Sequence, residues 1–167
     1  MSAKKISKER KEINKEVKST LTKLYKTQPD AKSVIDRAAG YAVFNNFGVK
    51  IFVAGSGMGK GIAVNKGNGK QTYMKMVELQ AGLGLGVKSF SQIWVFADPA
   101  GLKKFMSGSF ELSGQANATA KYETMGGAYA GAISVSPGVW LYQLQGDGLA
   151  VELTAKGTNY YVYDDLN

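Results

Sequence analysis

Glycine recurs at every second position in two apolar stretches, and this alternation constrains the fold more than any other feature of the sequence. The stretches are GMGKGIAV, residues 57–64, and AGLGLGV, residues 81–87. Successive side chains of a β-strand point to opposite faces, so the glycines of each stretch share one face of a predicted strand. A third stretch, GAYAGAISV, places small side chains on one face in the same way. The three rows are Gly57, Gly59, Gly61 and Ala63; Gly82, Gly84 and Gly86; and Ala128, Ala130, Ala132 and Ser134.

Rows of glycine weaken a strand interior, so they indicate that something approaches the backbone closely. A tightly curved sheet, or a helix lying almost on the backbone, meets this requirement, and a bound ligand is the alternative. The segment AGSGMGKGIAV, residues 54–64, does not match a nucleotide P-loop: with Gly59 and Lys60 as its Gly-Lys pair, the first glycine falls on Ala54 and the hydroxyl on Gly61. The dinucleotide pattern G-x-G-x-x-G fails at Lys60.

The composition excludes several classes of enzyme. The chain has no cysteine and no histidine, which removes thiol catalysis, Ser-His-Asp machinery and His/Cys zinc sites. Asp164 and Asp165 are adjacent and would point to opposite sides of a strand, and no segment has the D-x-D-x-D-G spacing of a calcium loop. We therefore expect no enzymatic activity, no cofactor and no metal site. The other carboxylates considered are scattered: Glu78, Glu111, Glu123 and Glu152.

The first 26 residues predict a two-faced helix from Ala3 to Lys26. Its apolar and basic residues fall on roughly opposite sides of a helical wheel. Residues 1–37 carry 11 basic and 5 acidic side chains, so most of the net charge of +8 belongs to this part of the chain. Either the apolar stripe packs on the domain and the lysines are solvated, or the helix meets anionic lipid; a helix docked with its basic face outward satisfies both. The apolar stripe is Ile6, Ile13, Val17, Leu21 and Leu24, and the basic stripe is Lys4, Lys8, Lys11, Lys15, Lys18 and Lys26.

The remainder of the chain predicts an α+β fold. A short helix in TQPDAKSVIDRAAG has Pro29 in its first turn and Gly40 as its stop, and DPAGLKKFM predicts another with Asp98 as N-cap. From Tyr41 onward the apolar period becomes alternating, which predicts eight or so largely antiparallel strands. We expect N-terminal amphipathic helices packed on a glycine-rich, strongly curved sheet or barrel-like sandwich. Residues 1–28 would form the basic helix and residues 29–167 the domain, as a single globular unit.

The predicted strands fall into two groups along the chain. Before residue 100 they are VKIFVAG, GKGIAV, QTYMKMVELQ, AGLGLGV and SQIWVFA, with a turn at NKGNGK. After it they are SFELSGQANATA, GAYAGAISV, GVWLYQLQ, LAVELTA and NYYVYD, with hairpin turns at residues 146–148 and 156–157. No run of about 18 apolar residues predicts a membrane-spanning helix, and the charged N-terminus does not resemble a secretory signal.

Several segments resemble the SYLF domain family. They are AAGYAVFNNFGVKIFVAGSGMGKGIAV, GLGLGVKSFSQIWVFADPAGLKKFM, GGAYAGAISVSPGVWLYQLQGDGLAVEL and YYVYDDLN, and the last is most similar to bacterial members. The resemblance spans residues 31–167. It implies lipid binding, of phosphoinositides in eukaryotic members, and actin binding in some relatives of the yeast actin-patch proteins. Bacterial members are often exported and lipid-anchored, but this chain has neither a lipobox cysteine nor an SH3-type extension.

These observations lead to one expected function and to alternatives from other classes. We expect a lipid-binding domain that associates peripherally with an anionic lipid or membrane surface, with a phosphoinositide-like or other acidic headgroup as ligand. The alternative is a protein-interaction or structural module of the cell envelope, using Trp140, Tyr142, Tyr160, Tyr161 and Tyr163, although Trp140 and Tyr142 also fit a core face. Nucleic acid is not an expected partner, because no reading motif accompanies the charge. The predicted lipid-binding residues are Lys4, Lys8, Lys11, Lys15, Lys18, Lys50 and Lys60.

The sequence leaves the compartment open. The resemblance favours the bacterial cell envelope or periplasm if a signal has been removed, and otherwise the cytoplasm.

Overall fold

A computed structural model of the chain describes residues 1–45, 57–78, 90–108, 110–112, 129–146, 148–150 and 158–167. Within these ranges it contains three α-helices, nine β-strands and a final 3₁₀ turn at Asp164–Leu166. The helices are α1 (Ala3–Thr27), α2 (Asp30–Arg37) and α3 (Pro99–Met106). The strands are β1 (Gly40–Asn45), β2 (Gly57–Asn65), β3 (Gln71–Glu78), β4 (Phe90–Phe96), β5 (Glu111–Leu112), β6 (Ile133–Ser136), β7 (Val139–Gln145), β8 (Gly148–Ala150) and β9 (Thr158–Val162).

The strands form one antiparallel sheet in the order β5-β9-β3-β2-β1-β4-β7-β6, and β8 pairs with the far end of β7. The sheet is strongly curved, as a half-barrel. This confirms the predicted α+β class and the curved antiparallel sheet.

Both faces of the sheet are buried, each under helices. On one face, α1 and α2 cover a core that includes Val43 and Ile93. On the other face, α3 covers a ring cluster that contains Phe44 and Trp94. Neighbouring residues of β1 therefore enter different cores, which follows from the twofold alternation of a strand.

The helix boundaries agree with the sequence except at one residue. α3 begins at Pro99, as predicted, although the Asp98 side chain makes no capping hydrogen bond. The expected stop of α2 at Gly40 is wrong, because the helix ends at Arg37 and Gly40 opens β1. Gly40 is required there for space: a Cβ atom would lie 2.6 Å from Leu102 Cδ2 and 2.7 Å from the Val64 carbonyl oxygen.

The first glycine row lies where neighbouring strands approach most closely. A Cβ on Gly61 would stand 1.9 Å from the Val43 carbonyl oxygen of β1 and 2.7 Å from the Phe44 ring. A Cβ on Gly59 would stand 2.6 Å from the Met76 Cε atom and 3.0 Å from the Asn45 carbonyl oxygen. The atoms that require glycine here belong to the sheet itself, which supports the packing explanation of this row.

The third small-residue row is only partly a strand. β6 begins at Ile133, and the chain before it is a turn in which Gly131 has φ +84°. The predicted strand over GAYAGAISV is therefore too long, because Gly131 takes a left-handed conformation that breaks the strand pattern. The described part of SFELSGQANATA contributes only the two-residue β5. VKIFVAG, AGLGLGV and the turn at residues 156–157 lie outside the described residues, as does most of LAVELTA.

Tyr142 is a fully buried side chain whose hydroxyl has no hydrogen-bond partner among the described residues. Burial, and to a smaller extent the nearby Tyr129 and Asp30, raises the pKa of Tyr142 to about 12 from its ordinary value of 10. The unfolded chain loses this proton near pH 10, whereas the native protein keeps it until about pH 12. The native state therefore binds more protons across that interval, and its stability falls as the pH rises from about 10 to about 12.

Gly61→Ala is expected to lower the free energy of unfolding by about 1–3 kcal/mol or more, because the added methyl group overlaps the β1 backbone. Urea denaturation measures the change. Gly148→Ala is the matched control, since no atom of the described residues lies within 4 Å of its Cβ position. Equal denaturation midpoints for the two variants would contradict this account of the row.

Tyr142→Phe is expected to leave stability at neutral pH unchanged, or to raise it slightly, because it removes a buried hydroxyl without a partner. It should also make the alkaline loss of stability less steep between about pH 10 and 12. Denaturation midpoints measured across this pH range test both effects. Parallel profiles for the variant and the original protein would show that Tyr142 does not contribute.

Candidate functional site: the basic face of α1

α1 lies on the sheet with its apolar stripe inward. Ile13, Val17 and Leu24 are buried against the core under α1, and Ile6 and Leu21 are half-buried beside it. The orientation that the sequence left open is therefore the docked one. The five predicted lipid-binding lysines of this helix are all exposed: Lys4, Lys8, Lys11, Lys15 and Lys18.

Specific polar contacts fix the rotation of α1 on the sheet. The Asn14 amide donates a hydrogen bond of 2.7 Å to the Tyr73 hydroxyl of β3. The Thr20 hydroxyl donates one of 2.7 Å to the Asn45 side-chain oxygen at the end of β1. Near the start of the helix, Arg10 Nε donates a bond of 2.7 Å to the Leu166 carbonyl oxygen. Because these contacts lie on the inward side, they hold the lysines on the outward side.

The outward face of α1 carries an excess of positive charge. Within the described part of the chain, none of its five predicted lysines lies within 4 Å of a carboxylate oxygen. Glu9 of α1 is only partly exposed and pairs with Lys60 of β2. The face therefore carries more lysine than acidic side chains, with the exposed Glu12 beside the lysines, and a net positive charge of this kind attracts an anionic surface.

Lys60, the predicted headgroup contact on β2, is half-buried. It stands on β2 with its amine in contact with the Glu9 carboxylate and 5.9 Å from the centre of the Tyr163 ring. The ion pair is largely buried, and the second Glu9 oxygen, Oε2, has no hydrogen-bond partner among the described residues. Lys60 thus joins the sheet to α1. Lys50 lies outside the described residues.

A second cation, Lys75, was missed by the sequence analysis. It lies on β3 directly opposite Lys60, and its amine is 5.6 Å from the centre of the same Tyr163 ring. The pairing of Lys75 with Lys60 could have been predicted from the turn at residues 65–70, because counting outward from a hairpin turn gives the cross-strand pairs. Tyr163 and Lys75 enter one cluster only because β9 returns beside β3, which local pattern does not reveal.

Two of the five aromatic residues of the alternative interaction surface are internal. Tyr142 and Tyr160 are fully buried, and Trp140 stacks on Tyr129 with ring centres 4.2 Å apart. Tyr163 is half-buried, and its ring lies near the amines of both Lys60 and Lys75. Of the five aromatic residues considered, only Tyr161 is classed as exposed, at 39%. The alternative of a protein-interaction module therefore has Tyr161 as its exposed residue, with Trp140 and Tyr163 half-buried.

The described residues hold no group of three or more acidic side chains placed to bind a metal ion. Nor does any helix among them have the length and apolar character needed to cross a bilayer.

Comparison with known proteins gives one informative similarity. The chain is similar to the protein named Beta cell expansion factor A from Aeromonas veronii, with 31% identity over 156 residues. The match covers 92% of this chain and 57% of that protein, so the chain spans little more than half of the relative's length. No protein-family profile matches the chain.

Leu24→Ala is expected to destabilise the protein by about 2–5 kcal/mol, because the side chain is fully buried between α1 and the sheet. Thermal or urea unfolding measures this loss. Lys18→Ala, on the exposed face of the same helix, should change stability by less than about 0.5 kcal/mol. Comparable losses for both variants would mean that α1 is not held by its apolar stripe.

Proposed function

We propose that the protein is a non-enzymatic lipid-binding domain that associates peripherally with anionic membrane surfaces through the basic face of α1. The observation that carries the proposal is the set of five exposed lysines on one side of a docked helix, none of which has an ion-pair partner among the described residues. A lysine close to an anionic surface contributes on the order of 1 kcal/mol at low screening. Five of them supply enough attraction for reversible binding without a bond made or broken.

The packing of α1 favours an electrostatic mode of attachment. Its apolar stripe is already buried on the sheet, so it is not available for insertion while the helix stays docked. Attraction between exposed charges is screened over about 8–10 Å at physiological ionic strength. Binding through the basic face should therefore weaken markedly as salt is added.

The resemblance to SYLF domains supports the same proposal, because lipid binding is what that resemblance implies. The segments that carry it include the glycine row of β2 and the end of the chain, both of which contribute to the sheet beneath α1. Under this proposal the ligand is an acidic headgroup, phosphoinositide-like or otherwise. The sheet acts as the rigid base that holds the helix, and the lysines of α1 make the contact with lipid.

Changing Lys4, Lys8, Lys11, Lys15 and Lys18 together to Gln is expected to reduce binding to anionic vesicles by at least tenfold, with little change in thermal stability. Co-sedimentation with vesicles of phosphatidylcholine alone, and of phosphatidylcholine with phosphatidylglycerol, measures the effect at low and physiological salt. The original protein should bind only the anionic vesicles, and less at the higher salt.

A control variant neutralises the same number of exposed lysines elsewhere on the protein. It replaces Lys32, Lys66, Lys70, Lys103 and Lys104 with Gln. If this variant loses as much vesicle binding as the α1 variant, net charge rather than the basic face is responsible. Duplex DNA that displaces the protein from vesicles would show attraction by charge alone. No binding to either vesicle would overturn the proposal.

A further inference from the structure

An open groove lies where β3 and β9 meet the end of α3. Its volume is about 500 Å³, which is within the range of small-molecule sites. Apolar side chains supply much of the wall, together with the ring of the exposed Tyr161 and two charged groups. The lining residues used below are Lys75, Val77, Met106, Tyr161, Val162 and Asp164.

Lys75 is the unusual group in this groove. Lys60 stands directly opposite it on β2, and like charges in facing positions of a sheet repel each other. Glu9 neutralises Lys60, but no described carboxylate lies within 4 Å of the Lys75 amine. The structure thus places two lysines around one tyrosine ring and provides a counter-ion for one of them.

We propose that the groove binds an anion of the phosphate-ester class, with the Lys75 amine as its cationic ligand. Lysine is a common point-charge partner of phosphate groups. The Lys75 side chain is only half-exposed, and partial burial strengthens its attraction for an anion. The apolar wall of Val77, Met106 and Val162 suits the organic part of an ester better than a free inorganic ion.

Asp164 is a second charged residue of the groove, and its charge is opposite to that of Lys75. Asp164 is exposed, lines the same groove and has no ion-pair partner among the described residues, so its negative charge opposes the binding of an anion by Lys75. Its neighbour Asp165 is also exposed but does not line the groove. Removing the first carboxylate should therefore strengthen anion binding, and removing the second should have much less effect.

A lipid headgroup and a soluble phosphate ester offer the groove the same chemistry. The inference rests on the proposed function only where the phosphate ester is a lipid headgroup. The experiment therefore uses both sources. Soluble glycerol phosphate is titrated into the full chain, and amide NMR shifts report the affinity and the location. The vesicles already described, with and without phosphatidylglycerol, supply the same group at a membrane surface.

Lys75→Gln is expected to raise the Kd for glycerol phosphate about tenfold, and Asp164→Asn to lower it several-fold. Lys70→Gln and Asp165→Asn are the matched controls, since each removes the same charge from an exposed position outside the groove. Shifts should be largest at residues 75, 77, 161 and 162. Thermal unfolding confirms that each variant is folded.

The inference is overturned if glycerol phosphate produces no shifts in the groove, if Lys75→Gln behaves like Lys70→Gln, or if Asp164→Asn weakens binding. A Lys75→Gln variant that loses both glycerol phosphate and vesicle binding supports a headgroup source. Loss of glycerol phosphate alone supports a soluble ester. If glycerol phosphate binds in the groove but the protein does not bind vesicles, only the proposed membrane function is refuted. If the protein binds vesicles through α1 but glycerol phosphate does not bind in the groove, only this inference is refuted.

Discussion

The approach of β2 to β1 at Gly61 is the constraint on which the rest of the molecule depends. Without a side chain at Gly61, the β1 backbone and the Phe44 ring both occupy space that a methyl group would fill. Phe44 then lies 5.1 Å from Tyr160 and 5.9 Å from Phe105, which ties β9 and α3 to the same ring cluster. Val43, which directly precedes Phe44 in β1, packs into the core under α1. The pairing of β1 with β2 therefore connects both cores.

The same geometry explains why the candidate site has two parts. On the α1 side, apolar burial and hydrogen bonds to Tyr73 and Asn45 orient the helix, so its lysines face away from the protein. Beneath the helix, Lys60 is neutralised by Glu9, whereas Lys75 is left beside an open groove. One scaffold therefore carries both an exposed lysine face on α1 and a groove lined by Lys75. Their contributions can be separated, because different lysines carry them.

Much of the fold could be predicted from local pattern, for identifiable reasons. α1 was predicted almost to the residue because its apolar and basic stripes repeat over seven turns, and α3 because Pro99 fixes its start. The predicted stop of α2 at Gly40 was wrong. Glycine is needed at this position because Leu102 and the Val64 carbonyl oxygen occupy the space of a side chain, and these contacts belong to the tertiary structure. The predicted strand that contains β6 was too long. Small residues also alternate through the turn at Gly131, and the alternation alone does not distinguish this turn from a strand.

The sequence by itself determined the elements, the curvature implied by the glycine row and the identity of the exposed lysines on α1. Each depends on periodicity along the chain, which is local information. Tertiary structure alone decided that α1 is docked, that Glu9 reaches Lys60, and that Lys75 shares Tyr163 with it. It also placed Tyr142 and Tyr160 inside, where the sequence allowed an interaction surface. The physical reason is that burial and ion pairing depend on which strands become neighbours, and β9 joins β3 only after the chain has crossed the whole sheet.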